Sequence, residues 1–409
     1  MSVLKEISGG VCAAQGFRAA GVHCGVKAGS SPDKKDLAMI LSQRECTAAA
    51  MYTTNRVKAA PIYITKEHLS DGTAWGVIAN SGNANACCPG SRENAEAMCA
   101  AAAGAVGRES RDFVVCSTGV IGQTINIAAI EAGVPAVAAA LSETGSDGAA
   151  HAIMTTDTVK KEIAVSFELG GKEVRMGAIA KGSGMIHPNM GTMLSFITTD
   201  CAISADLLSE ALHAVVPRTF NRVTVDGDTS TNDTCAVLAN GMAGNALIDW
   251  KSEDYQTFRE ALEYVCRAMS RAMAGDGEGA GRLVTCKVSH ARSEDNAERL
   301  AKAVVGSSLV KAAMFGADAN WGRVLCAMGY SKAPFDPEKV DVVFRSANGA
   351  VAVCEQGEGV LFDEELAKRV LTAGEVVIDV DVNEGGDSAE CWGCDLTYDY
   401  VKINGDYRT

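Results

Sequence analysis

The sequence predicts a mixed α/β fold, with sheets packed between helices, on the strength of three observations. Helical stretches interleave with β-hairpins instead of with single parallel strands, which argues against a doubly wound dinucleotide fold. The composition, 47% hydrophobic and 22% charged, is that of a globular protein with a substantial core. At 409 residues the chain exceeds what one small core holds, so two domains or one large two-lobed unit is expected.

The elements follow in order. Residues 94–106 are alanine-rich and read as a helix. "DFVVCSTGVIG", residues 112–122, reads as a short buried strand that breaks at Ser117-Thr118-Gly119. Apolar residues alternate at Ile163, Val165 and Phe167, then at Val174, Met176 and Ala178, with Gly170-Gly171 between them, a hairpin signal. The hairpin delivers the chain to "KGSGMIHPNMGTMLSFITTD", residues 181–200, whose first half is punctuated by Gly182, Gly184, Pro188 and Asn189. From Thr192 it turns into Met193, Leu194, Phe196 and Ile197, the mix of a buried strand, so Thr192 stands where a loop meets a strand. Residues 204–216 and 255–273 read as amphipathic helices. The last third is strand-rich: residues 342–344 and 351–353 flank Ser346-Ala-Asn-Gly, and Ile378, Val380 and Val382 alternate with acids.

A formal net charge of −14 disfavours nucleic acid and anionic membrane as partners. Residues 1–6 lack the basic and apolar regions of a secretion signal, and no stretch is apolar enough to span a bilayer, so the expected location is the cytoplasm. Fifteen cysteines, an odd number, then read as reduced thiols that fill core positions. Cys391-Trp-Gly-Cys394 is the one C-x-x-C, and the six histidines fall in no ligand spacing, so neither a metal nor a cofactor is expected.

"GDGEGAG", residues 275–281, follows a helix instead of opening one, which removes it as a dinucleotide loop. Its acids Asp276 and Glu278, set in bare backbone, suit an ammonium group. The corner Thr118-Gly119 can aim two N–H groups, or an N–H and a hydroxyl, at one point, the construction of an oxyanion hole. No Ser/His/Asp set is evident. Thr192 has a base of its own only if the bond before it is cut: a free α-amine titrates at about 7.7–8.0 and activates its own threonine hydroxyl. Attack of that hydroxyl on the Gly191 carbonyl, then hydrolysis of the ester, would make the cut, and a small residue at 191 leaves room for it.

Residues 180–200 resemble the self-cleavage segment of the ornithine acetyltransferases, the glutamate N-acetyltransferases of arginine biosynthesis. Other stretches match that family in order: "MYTTNRVKAAP" (51–61), "NSGNANAC" (80–87), "STGVIG", "MTTDT" (154–158), "FNRVTVDGDTSTNDT" (220–234), "GDGEGA", "GADANWGR" (316–323) and "WGCDLTYDYVKINGDYRT" (392–409). The resemblance covers essentially the whole chain. It implies an N-terminal-nucleophile-like fold, cut between Gly191 and Thr192 into an α chain, 1–191, and a β chain, 192–409, assembled as two of each. Thr192 would take acetyl from N-acetylornithine and pass it to glutamate, with acetyl-CoA a further donor in bifunctional members. Thr118 and Gly119 match the oxyanion-hole positions. Thr155 (with Thr156 beside it), Lys181, Thr192, Glu278, Asn404 and Thr409 match the substrate-binding positions.

Two departures stand out. Glycine replaces the more usual alanine before the scissile bond, and Gly281-Arg282 replaces the more usual Thr-Lys. Two rivals remain at this stage: a related N-terminal-nucleophile aminopeptidase or amidohydrolase, with water as acceptor, and an uncleaved small-molecule-binding protein.

Overall fold

The computed structural model describes residues 4–187 and 193–406; Gly191, Thr192 and Thr409 lie outside the described residues. Two sheets organise them. The first takes β1 (Lys5–Ile7), β2 (Phe17–Val22), β3 (Leu37–Tyr52), β4 (Thr73–Asn80), β5 (Phe113–Ser117), β6 (Lys161–Leu169), β7 (Lys172–Lys181), β8 (Leu194–Thr199) and β9 (Thr234–Ala239). Its order is β1-β6-β7-β8-β9-β3-β4-β5, with β2 paired to β3. The second takes β10 (Leu283–Ala291), β11 (Asp341–Ser346), β12 (Gly349–Glu355), β13 (Glu358–Gly359), β14 (Glu375–Asp381) and β15 (Asp387–Cys394), in the order β13-β12-β11-β14-β10-β15.

The expected mixed α/β architecture is what the chain forms. The helix expected over 94–106 runs Ser91–Val106, and those expected over 204–216 and 255–273 run Ala205–Val215 and Glu253–Gly275. Gly170-Gly171 turns the β6–β7 hairpin, and the strand after Thr192 is β8. The pairing is less purely antiparallel than hairpins alone imply: β4 with β5, β8 with β9 and β10 with β14 run parallel. Each of these pairs is bridged by intervening helix, as a parallel crossover requires.

Helices cover both faces of the first sheet. Leu208, Leu212 and Val215 of one helix and Phe258, Leu262 and Val265 of another bury against Val165, Val174 and Ile197. Ala149, Ala150 and Ile153 close the opposite face over Ile179, Phe196 and Leu238. The helix Glu253–Gly275 also packs on β10 and β15, so it stands between the two sheets and ends where they meet. Its last turn delivers Asp276 and Glu278 to that junction. Among the described residues no helix is long and apolar enough to cross a membrane.

Candidate active site

A cavity of about 310 Å³ lies where the ends of β5, β7 and the helix Glu253–Gly275 converge. Thr118, Gly119, Thr155, Lys181, Glu278 and Asn404, six of the residues singled out in the sequence, all line it. Thr156 does so too, so the two neighbouring threonines share the wall. The structure thus assembles one site from segments up to 286 positions apart, Thr118 to Asn404, each set by its own local geometry.

Thr118 and Gly119 follow directly on β5, where the strand turns away. The Thr118 N–H donates to the Asn80 carbonyl at 3.0 Å. Of the two oxyanion constructions open to the sequence, the structure therefore leaves an N–H and a hydroxyl: the Gly119 amide and the Thr118 side chain. Gly119 has φ +130, and a Cβ there would stand 2.6 Å from the Asn83 nitrogen, so only glycine makes this corner. Asn232 fixes the corner from behind, its side-chain amide donating to the Ala84 and Ser117 carbonyls at 2.7 and 2.8 Å.

Lys181 ends β7. Its ammonium is enclosed, 4.0 Å from the Asp157 carboxylate. Burial lowers its pKa; Asp157, Asp233 and Glu278 push it back up while Lys161 works with burial. Glu278 reaches the cavity because residue 184 is glycine: a Cβ on Gly184 would lie 2.2 Å from the Glu278 carboxyl. The Asn404 amide, on the helix Tyr398–Asp406, donates to Glu278 Oε2 at 2.6 Å, and so closes the C-terminal helix over the site.

The chain is anchored on both sides of residues 188–192. Before them, Asp226 accepts the Met185 and Ile186 N–H groups at 2.6 and 2.9 Å, and the His187 ring meets the Thr224 hydroxyl at 3.0 Å. Burial pushes the His187 pKa down to about 4, so at neutral pH the ring is uncharged. After them, Asp233 Oδ1 accepts the Met193 N–H at 2.5 Å. Burial raises the Asp233 pKa well above its ordinary value, against the Met193 N–H, the Thr53 hydroxyl and Lys181. Leu194 pairs in register with Lys181 on one side and Thr234 on the other, so β8 begins at the cavity's edge.

Sequence reasoning missed Ser230, Asn232 and Met185 as lining residues. The first two lie in "TVDGDTSTNDT", whose run of short polar residues ahead of an apolar strand was the available signal. Cys391 and Cys394 are free and buried in β15. Among the described residues, no three of His, Cys, Asp or Glu gather as a metal site.

A half-open pocket with a hydroxyl and an amide at one corner, a buried ammonium and an acid–amide pair is the kind of arrangement an enzyme uses for a small polar substrate. The family follows from comparison: the ArgJ family profile matches residues 18–409, and the chain belongs to the ArgJ family. It is 49% identical to the arginine biosynthesis bifunctional protein ArgJ of Caldanaerobacter subterraneus subsp. tengcongensis, over 99% of this chain and 100% of that protein. It is 46% identical to the glutamate N-acetyltransferase of Methanothermobacter thermautotrophicus, over 99% of each. A solved chain of ArgJ from Bacillus halodurans, 44% identical, aligns along 100% of its own length with 53% of this chain at a TM-score of 0.50.

Proposed function

We propose that this chain is a glutamate N-acetyltransferase of arginine biosynthesis, moving acetyl from N-acetylornithine to glutamate by a ping-pong route through an ester on Thr192. The observation that carries the reading is the cavity itself, which gathers Thr118, Gly119, Lys181, Glu278 and Asn404 beside the start of β8. Thr192 first cuts the chain. Its hydroxyl attacks the Gly191 carbonyl, the C–N bond breaks to free the Thr192 amine, and water hydrolyses the ester to release the Gly191 carboxylate. The anchors at Met185, Ile186 and Met193 hold both sides of that bond, which supports a reaction needing one fixed geometry. That a solved relative aligns end to end with 53% of this chain, the share residues 192–409 would take, also supports two chains.

In the transfer, the Thr192 amine takes the hydroxyl proton as the oxygen attacks the acetyl carbonyl. The Thr118 hydroxyl and Gly119 N–H receive the oxyanion. The acetyl C–N bond breaks, the ornithine nitrogen leaves with the proton from the Thr192 amine, and the amine of glutamate attacks the ester by the reverse path. Lys181 is the partner for a substrate carboxylate, while Glu278, Asn404, Thr155 and the terminal Thr409 complete the binding set. One amide is exchanged for another, so the chemistry is near thermoneutral and requires no metal or cofactor. Acetyl-CoA as a second donor is supported by the bifunctional name of several relatives. We place the enzyme in the cytoplasm as an α2β2 assembly.

Intact mass spectra of the denatured protein and of Thr192→Ala test the reading together with an acetyl-transfer assay. Two fragments, one starting at Thr192, with an uncut and inactive variant, are expected. A single 42.5 kDa species with full transfer activity removes the Thr192 amine from the mechanism.

A further inference from the structure

Behind the cavity wall lies a layer of buried charge. Lys161, at the start of β6, is wholly enclosed, its Nζ 2.7 Å from Asp157 Oδ1 and 2.5 Å from Asp276 Oδ2. Asp276 also accepts the Thr158 N–H at 3.1 and 3.2 Å, the Val159 N–H at 3.4 Å and the Thr158 hydroxyl. These bonds account for Asp276 and Lys161 as structural partners. Asp157 is different, because two of its other partners, Thr155 and Lys181, line the cavity and the third, Gly182, follows Lys181 directly. Oδ1 accepts the Gly182 N–H at 2.8 Å, Oδ2 accepts the Thr155 N–H at 3.1 Å, and Oδ2 faces Lys181 Nζ at 4.0 Å.

An enclosed ammonium without a counter-charge is costly, and the usual relief is to lose its proton. Four titratable groups face Lys181: Asp157 on the loop before β6, Lys161 on β6, Asp233 before β9, and Glu278 beyond the long helix. Burial is the largest effect on Lys181 and lowers its pKa; Asp157 is the largest of the opposing ones. Two ammonium groups and the Gly182 N–H in turn hold the Asp157 carboxyl down to about 2 against burial, so it is an anion throughout the working range.

We propose that Asp157 is a positioning residue for the transfer site: anchored by Lys161, it fixes Thr155 and Gly182 and holds the Lys181 ammonium at the cavity wall for a substrate carboxylate. The substrate role of Lys181 rests on the function proposed above; the link between Asp157 and Lys181 does not. Without that link, Lys181 shares a buried wall with Lys161 and sheds its proton at lower pH. Carboxylate binding then fails as pH rises.

The test is the pH dependence of Lys181 labelling by fluorodinitrobenzene, which reacts with the free amine, mapped by peptide mass in the full protein, Asp157→Asn and Asp276→Asn. Asparagine keeps an acceptor for Gly182 and Lys161 and removes the charge, together with the acceptor for the Thr155 N–H. The Lys181 midpoint is expected to fall by at least one pH unit, a tenfold change, in Asp157→Asn. In Asp276→Asn it should fall by less, since that charge acts through Lys161. In parallel, the alkaline limb of kcat/KM for N-acetylornithine should move down by the same amount in Asp157→Asn, through KM more than kcat. A Lys181 midpoint unchanged in a folded Asp157→Asn overturns the proposal; if that variant does not fold, an unchanged midpoint in Asp157→Ser does so. A midpoint that moves in a protein without acetyl-transfer activity sustains the link and overturns the functional reading instead.

Discussion

Replacing Thr118 with valine isolates one donor of the proposed oxyanion corner. The backbone N–H of Thr118 is committed to Asn80 at 3.0 Å, so it cannot compensate for a lost hydroxyl. Valine keeps the β-branched shape and the Asn80 bond. Residue 118 is only half-buried, so the extra methyl meets no packed core. The perturbation therefore removes one hydrogen bond to the transition state and little else. Loss of one such donor costs about 10²–10³ in kcat, roughly 2.7–4 kcal/mol. Steady-state acetyl transfer from N-acetylornithine to glutamate should show that fall in kcat, with KM changed by no more than a few-fold. Rates are normalised to the cut fraction read by mass spectrometry, because the proposed self-cleavage would pass through an oxyanion of its own. Thr118→Ser, which restores the hydroxyl, should recover most of the loss. A Thr118→Val enzyme within threefold of the native kcat refutes the argument and moves the oxyanion to other donors.

Three further outcomes follow from the same geometry. Gly184→Ala places a methyl 2.2 Å from the Glu278 carboxyl, which must swing away and release Asn404; kcat/KM should fall by tenfold or more while the melting temperature moves little, since the displaced atoms end a flexible side chain. Lys161→Met strands two buried carboxylates, and a loss of about 3–5 kcal/mol is expected in denaturant unfolding of the cut or uncut protein. The Asp157 carboxyl, at about 2 against an ordinary 3.8, contributes stability that is fully present above pH ~4 and is lost as pH falls towards 2. That amounts to the order of 2 kcal/mol, and Asp157→Asn should lack this part of the acid slope in unfolding midpoints taken between about pH 5 and 2.

What the sequence made legible divides along a physical line. Local elements were readable because hydrophobic period and turn chemistry are local: the β6–β7 hairpin at Gly170-Gly171 and the helix Glu253–Gly275 stand where periodicity put them. Strand partners were not readable, because β4 with β5 or β10 with β14 is chosen by packing across long loops, and no residue pattern within a strand announces a parallel neighbour. The site divides in the same way. Thr118-Gly119 carried its chemistry in two adjacent residues, whereas Glu278 offered only an acid suited to an ammonium group, Lys181 and Asn404 offered nothing distinctive alone, and only resemblance joined the three. Asp157 and Asn232 were invisible for a further reason: they act through backbone groups of other segments, the Thr155 and Gly182 N–H and the Ala84 and Ser117 carbonyls. A hydrogen bond to a main-chain atom leaves no signature at its far end, since every residue offers the same amide. The groups that hold a site in place are therefore the ones a single sequence conceals, even when the groups that line it can be named.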